Sequence, residues 1–339
     1  MDVDGVRGEH GGARERSAYG PVPLDAELTA VRAARGERGV VTPENLADVQ
    51  ARDIAARPRP TAEELGDGGR FEVTELKAPG PPGAPDVTLV YGRPADAAGP
   101  LPVLYYMHGG GMVMGNAWSV LPRVLRDWTA PLGLAVLSVE YRLAPQTQYP
   151  APLEDCYAGL TWAVEQSAEL GLDPARILVG GKSAGAGLAA ALALLTRDRG
   201  GPASIGQLLM SPMLDDRDER FSTRQMADVD TVDSTSKATF WQAYLGNRYG
   251  TDDVPPYAAA GRAGDLSVLP PAYIDVGSAE NFRDDAVAYA DALWRTGLDA
   301  ELHVWPGAFH GYDSIAAKAT ISQDATEART RWLRRILDR

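Results

Sequence analysis

From about Phe71 onward the chain alternates short apolar runs, bounded by Gly or Pro, with longer helical stretches, and this rhythm restricts the fold more than any other feature. Strand-like runs fall at 87–91, 103–107, 134–139, 177–179, 207–210, 272–276 and 301–304. Several are short and continuously apolar, as expected for strands buried on both faces of a parallel sheet. Helical stretches lie between them, most clearly at 153–170, 184–196, 284–296 and 325–337. Parallel neighbours need crossover connections, and helices supply them. The expected class is therefore α/β: a mostly parallel, doubly wound sheet with helices on both sides.

Two regions fall outside the rhythm. Residues 1–20 are rich in Gly, Arg and Glu and read as a loose tail, while 24–65 carry Leu28, Val31, Leu46, Val49 and Ile54 at helical spacing. Such an arm cannot bury its apolar face alone and must lie on something else. Residues 215–250 begin acidic and polar, then turn helical through Phe240, Trp241 and Tyr244 between two strands, where a cap insertion belongs. The expected division is an N-terminal helical arm or cap (1–70), a catalytic α/β domain in two parts (71–214 and 251–339), and a cap insertion (215–250). At 339 residues the chain is short for two independent domains.

The net charge of −13 repels phosphate backbones and anionic lipid headgroups, so neither nucleic acid nor a membrane surface is an expected partner. Cys156 is the only cysteine, so no intrachain disulfide forms, and it sits in a helical run where it is expected to pack. No signal-peptide h-region or membrane-length apolar run is present, and the expected address is cytoplasmic. The four histidines lack metal-ligand spacing, so a metal hydrolase is not expected.

Gly181-Lys182-Ser183-Ala184-Gly185 follows the apolar run 177–179 and opens an Ala-rich helix. A bare G-x-S-x-G is weak evidence in a chain with 36 glycines. A strand feeding into it and a helix leaving it form the context of a nucleophile elbow, in which the glycines permit a strained turn and the serine oxygen stands above the sheet edge. His108-Gly109-Gly110-Gly111 directly follows the run 103–107, and consecutive glycines let backbone N–H groups face a ligand. We assign an oxyanion hole to the amides of Gly109, Gly110 and Ala184. Among the histidines, His10 is in the tail, His108 in the glycine loop and His303 in a strand, which leaves His310, on a loop after the last strand, as base. The acid is expected between serine and histidine in the chain; Glu280 stands where a strand is left behind, with Asp275 as the mid-strand rival and Asp284 and Asp285 as helix-starting carboxylates. Met112, Met114, Trp118, Phe240 and Trp241 are candidates for lining an acyl or alcohol pocket, although apolar residues at such spacings are often plain core.

Together with Glu140-Tyr141-Arg142-Leu143-Ala144-Pro145, Ser211-Pro212-Met213-Leu214-Asp215-Asp216-Arg217, Leu269-Pro270-Pro271-Ala272 and His310-Gly311, these motifs resemble the hormone-sensitive-lipase-like group (family IV) of bacterial esterases, over roughly residues 87–311. The resemblance implies an α/β-hydrolase fold with a helical cap, hydrolysis of esters with small to medium acyl chains, no cofactor, and homodimerisation through the last strand. An amidase, lactonase or acyltransferase would use the same residues, and a non-catalytic binding protein on this fold is the remaining alternative. Two positions depart from the family pattern. Glu280 stands where Asp is usual, and Lys182 stands where aspartate or a small polar residue is usual. Lys182 either acts on substrate or oxyanion charge, or pairs with a carboxylate outside the pocket; the second reading is preferred.

Overall fold

In the computed structural model, which describes residues 19–36 and 39–339, eight strands form one sheet in the order β1-β2-β4-β3-β5-β6-β7-β8. They are β1 (Phe71–Ala78), β2 (Val87–Pro94), β3 (Leu101–Met107), β4 (Ala135–Glu140), β5 (Leu172–Lys182), β6 (Gly206–Met210), β7 (Ala272–Gly277) and β8 (Ala300–Trp305). β2 pairs antiparallel with β1 and β4, and the remaining pairs are parallel. All seven expected strands are present, and the expectation for the tail at 1–18 lies outside the described residues. β1 had no counterpart in the sequence reading. Its Glu, Thr and Lys positions face water at a sheet edge, so it has no continuous apolar run to detect. β5 runs longer than its apolar centre because Gly180 and Gly181 continue the ladder opposite Leu208 and Leu209.

Period-two alternation divides the strand residues between two apolar layers. Leu89, Tyr105, Leu137, Val179, Leu209 and Ile274 pack with helices Ala151–Glu165, Ala184–Arg199, Ser234–Leu245 and Arg283–Arg295. Val90, Leu104, Val136, Leu178, Leu208 and Tyr273 pack on the other face with Trp128 and with Trp332, Leu333 and Ile336 of helix Thr320–Leu337. Helix Ala184–Arg199 is buried from Ala184 through Thr196, which its alanines and glycines permit, since it must lie directly on the sheet.

The N-terminal segment forms helices Ala26–Arg35, Leu46–Ala56 and Ala62–Gly66. Asp25 caps the first, accepting from the amides of Glu27 (2.8 Å) and Leu28 (3.1 Å). Leu28 then packs on Ala308, Phe309 and Tyr312. In the second helix, Asp53 accepts from the Gly115 amide at 2.9 Å, and the Gln50 side-chain amide donates to the carbonyls of Val113 (2.6 Å) and Ala144 (2.9 Å). Between them, the Val41 amide donates to Ser236 Oγ at 2.9 Å, tying the arm to helix Ser234–Leu245. No helix among the described residues is long and apolar enough to cross a membrane.

A charge cluster is buried on the face of Leu178. Arg329 donates to Asp275 at 2.7 Å and to Asp313 at 2.5 Å, and Asp313 also pairs with Lys182 and with Arg123 at 3.1 Å. Burial pushes the Asp313 carboxyl up, but Lys182, Arg329 and Arg123 outweigh it and hold it well below the usual carboxylate value. A carboxyl depressed in the folded state stabilises the protein above its unfolded value near ~4 and loses that contribution as pH falls toward the folded value. Asp313→Asn should therefore cost about 3–5 kcal/mol in urea denaturation at pH 7, because Lys182 loses its carboxylate partner and Arg329 and Arg123 each lose one of theirs. The gap from the parent should narrow once pH drops below about 4. A neutral-pH difference below about 1 kcal/mol would contradict this account of the cluster.

Candidate active site

Because β3 to β8 run parallel, their carboxyl ends lie along one edge, and the loops leaving them carry the expected residues. His108–Gly111 follows β3, Ser183 follows β5, Ser211 follows β6, Glu280 follows β7 and His310 follows β8.

Ser183 sits at φ 58°, ψ −123°, a conformation sparsely populated by residues with a side chain. Its amide donates to the Met210 carbonyl (2.8 Å), and its own carbonyl accepts from the amides of Gly187 (3.0 Å) and Met213 (3.1 Å). The glycines on either side play a different part from the one the sequence suggested. Neither Gly181 nor Gly185 has positive φ; Ser183 alone within the motif bears the strained angle. They are needed for close approach. A Cβ on Gly185 would lie 2.1 Å from the Met107 carbonyl oxygen, and one on Gly181 2.5 Å from Gly185 and 2.6 Å from that same oxygen.

Three side chains from separate loops form a hydrogen-bonded chain. His310 Nδ1 is 2.7 Å from Glu280 Oε2, and His310 Nε2 is 3.0 Å from Ser183 Oγ. With Nδ1–H donating to the carboxylate, Nε2 is left to accept from the serine hydroxyl. Glu280 is fully buried, and its Oε1 accepts from Ser211 Oγ at 2.9 Å and from the Gly277 amide at 2.5 Å. The extra methylene of glutamate is absorbed by this fold-back. Gly277 permits it, since a Cβ there would meet the Ala308 carbonyl at 2.0 Å and Glu280 Oε1 at 3.0 Å. Phe282 flanks the imidazole, with ring centroids 4.9 Å apart. Ser183 and His310 are 9% and 8% exposed.

The glycine loop packs against this chain. Gly110 (φ 128°) and Gly111 (φ 63°) use backbone regions that favour glycine, and a Cβ on Gly109 would come within 2.8 Å of the Lys182 carbonyl. Among the described residues, the amides of Gly109, Gly110 and Ala184 have no protein acceptor. His108 anchors the loop from behind. It stacks on Tyr141 at 4.2 Å, its carbonyl accepts from the Tyr141 hydroxyl at 2.7 Å, and its Nδ1 lies 2.9 Å from the Gly109 oxygen. Burial pulls its imidazole down to about 4, so it is neutral near pH 7.

The candidate pocket residues separate. Phe240 lies against Gly111, where an added Cβ would come within 2.5 Å of the ring, and Met112 and Met114 flank the same loop. Trp241 is fully buried in the core beside Tyr244. Trp118 is turned to the opposite layer, where its indole N–H donates to Glu75 (3.0 Å) under the Arg59 guanidinium, so it does not share a pocket with Phe240. Lys182 alternates onto that face as well and is held by Asp313 and Ser314. Asp275, the rival acid, is taken by Arg329. Cys156 is buried, which raises its thiol. Ser211, Gly277 and Asp230 also touch the site, and the sequence reading assigned none of them a role there. Ser211 and Gly277 at least end strands at the right edge, whereas Asp230 lies in an acidic stretch with no distinguishing pattern. Among the described residues, no three His, Cys, Asp or Glu side chains are grouped to share a metal ion.

Gly185→Ala is expected to destabilise the fold by more than about 3 kcal/mol, or to abolish soluble expression, because backbone on both sides leaves no room for a methyl. A variant with the parent's urea midpoint would show that the helix can retreat from β3.

A model of the family described by the alpha/beta hydrolase fold matches residues 104–314. The chain is 36% identical to Esterase LipI of Mycobacterium tuberculosis over 258 residues, covering 76% of this chain and 79% of that one. It is 38% identical to Carboxylesterase NlhH of the same species over 239 residues, covering 70% and 74%. Among solved structures, a bacterial heroin esterase superposes with a TM-score of 0.85 at 38% identity, over 93% of this chain and 98% of that one.

Proposed function

Because this chain belongs to the hormone-sensitive-lipase-like esterases of the α/β-hydrolase fold and is a carboxylesterase-type hydrolase, we propose that Ser183, His310 and Glu280 are its nucleophile, base and acid. The observation that carries this reading is the continuous chain from Ser183 Oγ through both imidazole nitrogens to a buried carboxylate. Ser183 attacks the ester carbonyl as His310 Nε2 takes its proton, and Glu280 orients the ring and stabilises the imidazolium. The charge that develops on the carbonyl oxygen is received by the amides of Gly109, Gly110 and Ala184, the last at a helix N-terminus whose dipole favours an anion. The imidazolium then protonates the departing alcohol, and water repeats the sequence on the acyl-enzyme.

The described part of the N-terminal arm and the insertion (215–250) together act as a cap over this edge, a reading supported by their ties to the glycine and histidine loops. Phe240 against Gly111 limits the room beside the oxyanion amides, which favours small to medium acyl chains. The substrate is a small-molecule ester, and a single buried cysteine fits a cytoplasmic address. β8 is an edge strand with Val304 and Trp294 exposed beside it, and a second copy of the chain is its proposed partner.

Ser183→Ala should lower kcat on p-nitrophenyl acetate by on the order of 10⁴–10⁶; sustained turnover by that variant would remove the mechanism. A p-nitrophenyl ester series should peak at short to medium chains, and a long-chain optimum would reject the acyl assignment. Sedimentation should find a dimer that Val304→Lys converts to monomer, whereas a monomeric parent at micromolar concentration would dismiss the partner.

A further inference from the structure

One more carboxylate is buried against the site, and the mechanism above makes no use of it. Asp230 belongs to the insertion and is 6% exposed. Its Oδ1 accepts from the His310 amide at 2.9 Å and from the Thr231 amide at 2.7 Å, while Oδ2 accepts from the Asn281 amide at 2.9 Å. The two residues after it extend the same grip. The Thr231 hydroxyl donates to the His310 carbonyl, and the Asn281 side-chain amide donates to the Val232 carbonyl. Three successive residues of the insertion thus hold the backbone of the base on both sides, together with the residue that follows the acid.

We propose that Asp230 is a positioning residue for ester hydrolysis: its carboxylate bridges the His310 and Asn281 amides, fixes the imidazole relative to Glu280, and sets a second negative charge behind the ring. This inference rests on the reading of Ser183, His310 and Glu280 given above.

The hydrogen-bond inventory supports the geometry. The two Asp230 oxygens accept from three backbone N–H groups, an acceptor-only demand that suits an ionised carboxylate. An asparagine offers a single carbonyl and would turn its NH₂ toward one of those donors. The charge matters as well as the shape. Burial, and then the charge of Glu280, push the Asp230 carboxyl up to about 6, while His310 and the amides of Asn281 and His310 oppose the rise. The three amide donors favour the ionised carboxylate, so the imidazolium formed during attack lies near two carboxylates. Glu280 and His310 are the titratable groups that act most strongly on Asp230. Of the charged side chains on neighbouring elements, Arg283 is engaged by Asp284, and Asp233 caps helix Ser234–Leu245.

The test uses the full chain and p-nitrophenyl acetate. Asp230→Asn should lower kcat about 10-fold or more with KM within about two-fold. Loss of the negative charge behind the ring weakens stabilisation of the imidazolium, so the acid limb of kcat/KM should move to lower pH by about half a unit or more. Thr231→Val leaves the carboxylate in place and removes one tie to His310; it should lower kcat about 3-fold or more without moving the limb. It also serves as the deciding variant if Asp230→Asn does not fold, and parental kcat in Thr231→Val then overturns the proposal. Parental kcat and an unmoved limb in folded Asp230→Asn, with Ser183→Ala inactive, sink this inference and leave the three-residue mechanism standing. A kcat loss that only follows the folded fraction, with the limb unmoved, likewise overturns it. Turnover by Ser183→Ala removes the mechanism and the inference together.

Discussion

The backbone at Ser183 is the constraint that organises the rest of the site. A non-glycine residue at φ 58°, ψ −123° costs on the order of 1–3 kcal/mol and persists only where its surroundings over-determine it. Here the amide is fixed to β6 through Met210, the carbonyl is held by Gly187 and Met213, and helix Ala184–Arg199 is pressed onto β3 so closely that two glycines are obligatory. The strain has a chemical return. It points the hydroxyl away from the sheet edge toward His310 and leaves the Ala184 amide free at the start of a long helix.

The sheet alone does not complete that arrangement. Segments outside it reach in and grip each working loop. Asp53 and Gln50 of the arm hold the turn that follows the glycine loop, Leu28 packs beneath the histidine loop, and Asp230 with Thr231 clasps His310 from the insertion. Arm and insertion are also bonded to each other through Val41 and helix Ser234–Leu245. Arm, insertion, glycine loop and histidine loop are thus joined in one hydrogen-bonded and packed assembly.

Charge is distributed unequally between the two faces. On the face of Leu178 the buried carboxylates Asp275 and Asp313 are matched by Arg329, Lys182 and Arg123, and the cluster is locked. At the site edge, among the described residues, Glu280 and Asp230 have no lysine or arginine partner and rely on the His310 ring and on hydroxyl and amide donors. Ion pairing serves the fold where nothing titrates during reaction. At the edge, the negative charge is held by neutral donors, the arrangement on which the proposed mechanism draws.

The fold class and most of the expected site residues were legible because their causes are local. Strands buried on both faces must be apolar, a helix lying on a sheet must be small-sided, and a backbone that closes on a neighbouring carbonyl must be glycine. Each requirement writes itself into adjacent residues: the run 177–179, the alanines after Ser183, Gly109 to Gly111. The sequence by itself determined a parallel sheet, and with it the edge on which Ser183, Glu280 and His310 had to meet. Only the tertiary structure decided that the elbow glycines serve close packing while the serine carries the strain, that Trp118 and Lys182 belong to the opposite face, that β1 edges the sheet, and that Asp230 bears on the base. Those outcomes depend on which surfaces meet across long stretches of chain, and a carboxylate answering backbone amides 51 and 80 positions away leaves no mark on the residues beside it.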